Sequence, residues 1–415
     1  MAELIFPPVT SFYDNPKANP ALEYDSDKQS VISLKAYEQA SQEICSWPGY
    51  QPTPLRNLDG LAASLGVKHV LYKDEGSRFA LGSFKALGGA YAVYKLLAEQ
   101  VAKHDGGLKP SAQQITQGKH RSLVSGITVC SATDGNHGRS VAWGAKIFGC
   151  RCVIYIHEHV SKGREAAIAA YGAKVVRHPG NYDDAVKQAA ADAKKNGWFI
   201  VSDTSYEGYT QIPKDVMQGY TIMVQEALDQ LPAGVFPTHV FVQGGVGAMA
   251  ASVCAHLWQR YGQKRPRFIV VEPDKADCLI QSAKAGKPTA VHGALDTIMA
   301  GLACGEISSL AWQILETGTD AFISIADEGA AQAMRLLATG VGKDRPLVAG
   351  ESAVAGVAAL CSAAQQPELL RHLKLDSDSC VLFFGTEGDT DPELYKHIVG
   401  RSGDEIRQSE VDATD

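Results

Sequence analysis

The chain reads as an α/β protein with mainly parallel sheets, and three observations point there. Strand-like apolar runs at residues 69–73, 127–131, 151–156, 173–177, 198–201, 238–243, 267–271, 321–325 and 380–384 alternate with helix-period segments. Those helical segments include 86–103, 136–148, 162–171, 183–195, 212–230, 248–261, 327–338 and 353–364. Several strands end in glycine- or hydroxyl-rich turns that open directly into a helix, as parallel units require. The length of 415 residues, with 45% hydrophobic and 20% charged, supports a large core in two or three domains.

Residues 1–50 are polar and irregular, with Pro7, Pro8 and Pro16, and read as an arm laid over a surface or a neighbouring subunit. Gln51-Pro52-Thr53-Pro54-Leu55 is a stiff, extended entry. The apolar run His69-Val70-Leu71-Tyr72 then turns polar through Lys73-Asp74-Glu75-Gly76 and becomes helical from about Ser83. Lys85 falls in the first turn of that helix. The macrodipole there disfavours a cation and so favours a neutral, nucleophilic amine. Position alone also suits an ordinary surface lysine. Residues 104–122 form a polar connection, and residues 401–415 a polar, acidic tail expected to be disordered.

A net charge of −7 without a Lys/Arg run argues against a nucleic-acid surface. The nine cysteines are scattered and mostly lie in apolar runs, which suits buried thiols in a reducing compartment. No apolar run is long enough to span a bilayer, and Met1-Ala-Glu-Leu does not open a signal peptide, so a cytoplasmic protein is expected. His137 and His157 lack a Cys, His or Asp cluster at ligand spacing and read as packing or surface groups rather than metal ligands.

Three more segments carry candidate chemistry. Ser131-Ala132-Thr133-Asp134-Gly135-Asn136-His137-Gly138 joins a strand to a helix, where backbone N–H groups meet anions or polar ligands. Asn136 offers both donor and acceptor atoms there. A plain Asx turn explains the same residues. Gln243-Gly244-Gly245-Val246-Gly247 also joins strand to helix and can cradle a phosphate, although a tight turn needs no more than this. It has neither the Gly-Lys-Ser/Thr of a Walker loop nor dinucleotide spacing. The strand ending at Phe384 leads into Gly385-Thr386-Glu387-Gly388-Asp389-Thr390-Asp391, a capped junction or a polar site wall.

Taken together, Pro52-Thr53-Pro54-Leu55, the Lys-Asp-Glu run leading to Ser83-Phe84-Lys85, Gly135-Asn136-His137-Gly138 and the 244–247 loop resemble the fold type II pyridoxal-phosphate enzymes, the family of threonine dehydratase and tryptophan synthase β. The order and spacing match across roughly residues 50–400. Three variants are similar to the diaminopropionate ammonia-lyase branch: Asp134 before Gly-Asn-His-Gly, the Val201-Ser202-Asp203-Thr204-Ser205-Tyr206-Glu207-Gly208-Tyr209 segment, and Thr386-Glu387-Gly388-Asp389-Thr390-Asp391. Ala80-Leu81-Gly82-Ser83 before Phe84 departs from the family pattern.

The resemblance implies two open, mainly parallel twisted sheets with helices on both faces and the cofactor between the domains. It implies an N-terminal arm over residues 1–50, a large domain from 51–88 and 206–400 that includes Lys85, a small domain over 89–205, and a homodimer. Lys85 is expected to hold pyridoxal 5′-phosphate as a Schiff base and Phe84 to pack beside its ring. Asn136 is expected to bond the ring oxygen, and Gly244, Gly245, Val246 and Gly247 to hold the phosphate. Thr386 is expected to place a neutral hydroxyl at the pyridine nitrogen, which weakens the electron sink and favours elimination. Lys85 would take the α-proton of an L-amino acid. Asp134, favoured here, or Asp203 would take that of a D-isomer, and either would assist departure of a β-ammonium. Asp203 also suits a strand-end cap. The expected reaction is α,β-elimination of 2,3-diaminopropionate to pyruvate and ammonia. Alternatives are a serine, threonine or 3-hydroxyaspartate dehydratase of the same fold, and a non-catalytic pyridoxal-phosphate- or nucleotide-binding protein.

Overall fold

The structure is a computed structural model that describes residues 5–133, 135–180 and 182–412. The described chain packs as two compact units. One contains residues 5–31, 52–77 and 223–412, and the other contains 32–51 and the described part of 78–222. Lys85, expected with the larger sheet, therefore groups with the second unit.

The first unit is built on a seven-stranded sheet. Its strands are β1 (Ser11–Asp14), β2 (Leu55–Asn57), β3 (His69–Asp74), β8 (His239–Gln243), β9 (Arg267–Pro273), β10 (Ala321–Ile325) and β11 (Cys380–Gly385), in the order β1-β10-β9-β8-β11-β3-β2. The five inner strands run parallel, and the two edge strands, β1 and β2, run antiparallel to their neighbours. Strands β8, β10 and β11 are buried at every residue, as sheets covered on both faces must be. Helix Ala355–Ala364 is apolar all round and lies buried against this sheet. A Cβ at Gly356 would come within 3.1 Å of Phe241 and 3.0 Å of Phe383, so glycine sets that close approach.

Two sequence expectations about the chain's ends need correction, and one of the elements involved, helix Leu34–Ile44, belongs to the second unit. Residues 1–50 are not irregular throughout: β1 pairs Ser11 with Ser324 along β10, and Leu34–Ile44 is a helix capped by the Ser33 side chain. The tail is also ordered into helix Gly403–Asp412, where Ile406 is buried and Arg407 bonds Asp389 and Asp404. Its high charge masked the inward-facing Ile406.

The Pro52-Thr53-Pro54 entry is fixed by a buried polar cluster within the same unit. Lys73 on β3 is fully buried and its Nζ donates to Glu226 Oε2 at 2.7 Å and to the Thr53 carbonyl at 2.5 Å. Thr53 Oγ1 donates to Glu75 Oε1 at 2.5 Å, and Gln230 bonds both Thr53 and Leu55. The Lys73 and Glu226 charges pair with each other, as burial demands.

The second unit holds a four-stranded, all-parallel sheet. Strands β4 (Thr128–Ala132), β5 (Arg151–His157), β6 (Lys174–His178) and β7 (Phe199–Ile200) lie in the order β6-β5-β4-β7. Helices Ala86–His104 and Asn136–Phe148 make the most extensive helix pairing of this unit. Glycines set their separation: a Cβ at Gly144 would lie 2.8 Å from Ala90 Cα, and one at Gly89 would collide with Ser140 Oγ. Residues 211–222 of helix Gln211–Asp229 pack equally closely, with Gly219 facing the Leu87 carbonyl. These contacts hold the start of the Lys85 helix in a fixed position. In Gly219→Ala the added methyl would sit 1.9 Å from the Leu87 oxygen, and backbone cannot yield cheaply. Despite the better helix propensity of alanine, the overpacking is expected to cost about 1–3 kcal/mol. A thermal midpoint lower by roughly 4–8 °C in scanning calorimetry checks it.

Candidate active site

In parallel α/β sheets, ligands gather at the carboxyl ends of the strands. In the second unit, β4 and β7 end at Ala132 and Ile200, and the segments after them carry Thr133, Asn136, His137 and Asp203. Asp134 lies outside the described residues. Thr133 Oγ1 accepts from the N–H groups of Gly135 and Gly138, which fixes the turn into helix Asn136–Phe148. Asn136 is its first residue. The other segment is pinned by Tyr209, whose hydroxyl accepts from the Ser202 N–H and donates to the Ile200 carbonyl, both at 2.9 Å.

Lys85 is the residue immediately before helix Ala86–His104, slightly earlier than the periodicity suggested. Its Nζ lies 2.5 Å from Asp203 Oδ2, so two residues 118 apart in sequence form an ion pair. The helix end disfavours an ammonium, but the carboxylate opposes that and draws a proton to the amine. Burial works against the charge on Asp203, yet the His137 ring and the Lys85 ammonium outweigh it and hold its carboxyl far below the ordinary value. Phe84 is buried with its ring centroid 4.6 Å from that of Tyr220. The Lys85 Nζ lies 5.3 Å from the Phe84 centroid and 5.8 Å from the Tyr220 centroid.

His137 is buried. Its Nε2 lies 2.9 Å from the Val201 carbonyl and its Nδ1 3.7 Å from Asp203 Oδ2. The second unit thus brings together Lys85, Phe84 and Asp203 and adds Tyr220, Tyr209 and His137. No role was anticipated for either tyrosine: Tyr209 lies in the 201–209 segment singled out in the sequence and bonds residues seven and nine positions earlier, whereas Tyr220 meets Phe84 only through the fold.

The first unit carries the other expected group. Gly245 and Gly247 adopt positive φ of 69° and 92°, and residues 244–247 open helix Ala248–Tyr261, whose start has no side-chain cap among the described residues. A Cβ at Gly244 would lie 2.5 Å from Glu272 Cγ. Thr386 is buried, and its hydroxyl accepts from Gln243 Nε2 at 2.8 Å, the same amide nitrogen that donates to the Phe384 carbonyl. Accepting there leaves the Thr386 proton free to donate to a neutral acceptor. Gln243, unremarked in the sequence, therefore orients the hydroxyl.

In the first unit, uncapped helix N–H groups behind glycines and an oriented neutral hydroxyl suit a phosphate and a neutral ring nitrogen, and in the second unit an amine beside a carboxylate suits an aldehyde. The model of the pyridoxal-phosphate-dependent enzyme family matches residues 46–384. The chain belongs to this family. It is 43% identical over 374 residues to the diaminopropionate ammonia-lyase of Escherichia coli strain K12, covering 89% of this chain and 92% of that protein. Two crystal structures of Escherichia coli diaminopropionate ammonia-lyase superpose on it, each covering 95% of this chain and 98% of theirs. The complex with D-serine gives a TM-score of 0.87 at 39% identity. The complex with an aminoacrylate-PLP azomethine reaction intermediate gives 0.84 at 40%. As in fold type II pyridoxal-phosphate enzymes, the chain carries two mainly parallel sheets flanked by helices.

For this family member, the environment of the 244–247 loop yields a pH prediction. Glu272 is fully buried behind Gly244. Burial pushes its carboxyl up to about 8, partly offset by the Leu279 and Ile280 N–H groups that bond it. Because the folded value lies above the unfolded one, the folded state keeps a proton that the unfolded chain has lost. Stability therefore falls as pH rises from about 4.5 to about 8. Glu272→Gln removes that loss, on the order of a few kcal/mol. Denaturant titrations across this range are expected to show the variant gaining on the parent as pH rises, with no gain at the acid end.

Proposed function

We propose that this chain catalyses the α,β-elimination of 2,3-diaminopropionate to pyruvate and two molecules of ammonia. The observation that carries the reading is the Asp203 carboxylate set 2.5 Å from the Lys85 amine. An anion at the reacting amine suits a substrate with a second cationic nitrogen, because it attracts the β-ammonium and can exchange a proton with it. The 43% identity to a diaminopropionate ammonia-lyase supports the same substrate, and the D-serine bound by one Escherichia coli enzyme supports a site that accepts D-amino acids.

Pyridoxal phosphate, when bound, acidifies the α-proton and accepts the electron pair it leaves. The residues proposed to hold it are Lys85 through its amine, Gly245, Val246 and Gly247 through backbone N–H groups, Asn136, Phe84 and Thr386; the Gly244 N–H, expected to join them, donates instead to the Val271 carbonyl at 2.8 Å. The Thr386 hydroxyl, oriented by Gln243, donates to the pyridine nitrogen without giving up its proton. Once its amine is free, Lys85 takes the α-proton of an L-substrate. Asp134 is proposed to do so for a D-substrate, and Asp203 steadies the leaving β-ammonium. Loss of the α-proton and of β-ammonia gives 2-aminoacrylate, whose hydrolysis yields pyruvate and the second ammonia. We place this enzyme in the cytoplasm as a homodimer. Nine free cysteines, six of them buried, support a reducing compartment.

A panel of D- and L-diaminopropionate and D- and L-serine tests the proposal, scored for both products. The expected result is two ammonia per pyruvate from diaminopropionate. Lys85→Ala is expected to abolish turnover and the protein's long-wavelength absorbance, and Asp203→Asn to lower kcat by roughly 10²–10⁴-fold. Turnover of serine with one ammonia per pyruvate, and none of diaminopropionate, would overturn it.

A further inference from the structure

Asp203 Oδ2 has the Lys85 Nζ at 2.5 Å and the His137 Nδ1 at 3.7 Å. The ring's tautomer is set at its far side. The Val201 carbonyl 2.9 Å from Nε2 can only accept, so Nε2 carries the hydrogen. In the neutral ring Nδ1 then bears a lone pair. This atom is buried and has no hydrogen-bond partner among the described residues. Nδ1 and a carboxylate oxygen thus lie 3.7 Å apart with no proton between them. Oδ2 already takes the Lys85 ammonium, so a proton on Nδ1 would supply the partner that the ring nitrogen lacks, and buried polar groups are rarely left without one.

The arrangement is held from both sides. His137 and Asp203 are tied through one short segment, since the ring bonds Val201, two residues before the carboxylate, and Tyr209 fixes Ser202 between them. Ser140 Oγ donates to the His137 carbonyl at 2.7 Å and anchors the helix end that presents the ring.

We infer that His137 is a proton-holding partner of Asp203, receiving and returning a proton through Nδ1 while Asp203 works beside Lys85. The inference rests on the reading of Lys85 and Asp203 as the reacting pair. In the step, Oδ2 takes a proton from the Lys85 ammonium 2.5 Å away, leaving a neutral amine, and then the Oδ2–H bond breaks as the Nδ1–H bond forms. A carboxylate and an imidazolium result, no electrons leave the pair, and the reverse transfer restores both groups. His137 touches no reacting atom and is a positioning residue. Its value to the site is that Asp203 regains its charge without exchange with bulk water.

Three influences set the ring's charge. Burial keeps it neutral, the Asp203 carboxylate favours the imidazolium, and the Lys85 ammonium disfavours it. The hydroxyls of Tyr220 and Tyr209 also lie near the group, and burial keeps both protonated. Asp134 lies outside the described residues. When Lys85 gives up its ammonium charge, the balance at His137 tips toward the proton.

Nitrogen-15 NMR of the full-length holoenzyme, labelled at histidine, tests this without relying on turnover. His137→Gln assigns the signal. If that variant does not fold, the bare Nδ1 of the Nε2–H tautomer identifies the signal by its shift. Lys85→Met is expected to raise the protonation midpoint of His137 by about one pH unit or more, and Asp203→Asn to lower it by a similar amount. Folded His137→Gln is expected to lower kcat at least about tenfold with little change in KM and to lose one limb of the pH–rate profile. A midpoint unmoved by both substitutions, or a His137→Gln pH profile identical to the parent, would overturn the inference. Lyase turnover with an unmoved midpoint sinks this inference alone. A coupled midpoint with no diaminopropionate turnover sinks the proposed reaction and leaves the proton pair standing.

Discussion

The contact between the Lys85 amine and the Asp203 carboxylate is the constraint around which the second unit is arranged. An ammonium at a helix start is electrostatically misplaced, and a carboxylate in a half-buried cleft is misplaced for want of solvent. Each corrects the other at 2.5 Å. To keep them there, the fold must hold the start of helix Ala86–His104 and the segment after β7 within a fraction of an ångström. The glycine contacts at Gly88, Gly89, Gly144 and Gly219 do the first, and the two hydrogen bonds of Tyr209 do the second.

The same logic appears in the first unit, where anion-binding capacity comes from what has been left out. No side chain caps the 244–247 turn among the described residues, and positive φ at Gly245 and Gly247 shapes the turn into the helix. Behind it, Glu272 stays uncharged at neutral pH because burial pushes its carboxyl up to about 8. Under the proposed reading, a phosphate there would meet helix dipole and N–H groups rather than a second anion. Thr386 follows the same economy of charge. Gln243 supplies its hydrogen bond, and the hydroxyl stays neutral.

Much of this was legible in the sequence because it is local. Each of the nine strand-like runs contains a strand, and both glycine-bearing strand-to-helix turns lie where the residue order places them. What escaped was either short or long-range. β1 and β2 are edge strands of four and three residues, too brief for alternation to register. Tyr220 reads as one aromatic on an apolar helix face, and only the fold sets it against Phe84, 136 residues earlier. His137 looked like a packing histidine. It is buried as packing would have it, but a partner 66 residues away faces its bare nitrogen. Lys73 was legible as a strand-end lysine, whereas its pairing with Glu226 across 153 residues was not.

The central claim is that Lys85 is the amine to which the cofactor attaches. Borohydride reduction of the holoenzyme, followed by proteolysis and mass spectrometry, tests it most directly, because reduction makes the linkage permanent wherever it lies. The phosphopyridoxyl group is predicted on the peptide containing Lys85, at one per chain. Its recovery on another lysine, Lys73 included, or its absence from a fully yellow preparation, would contradict the account.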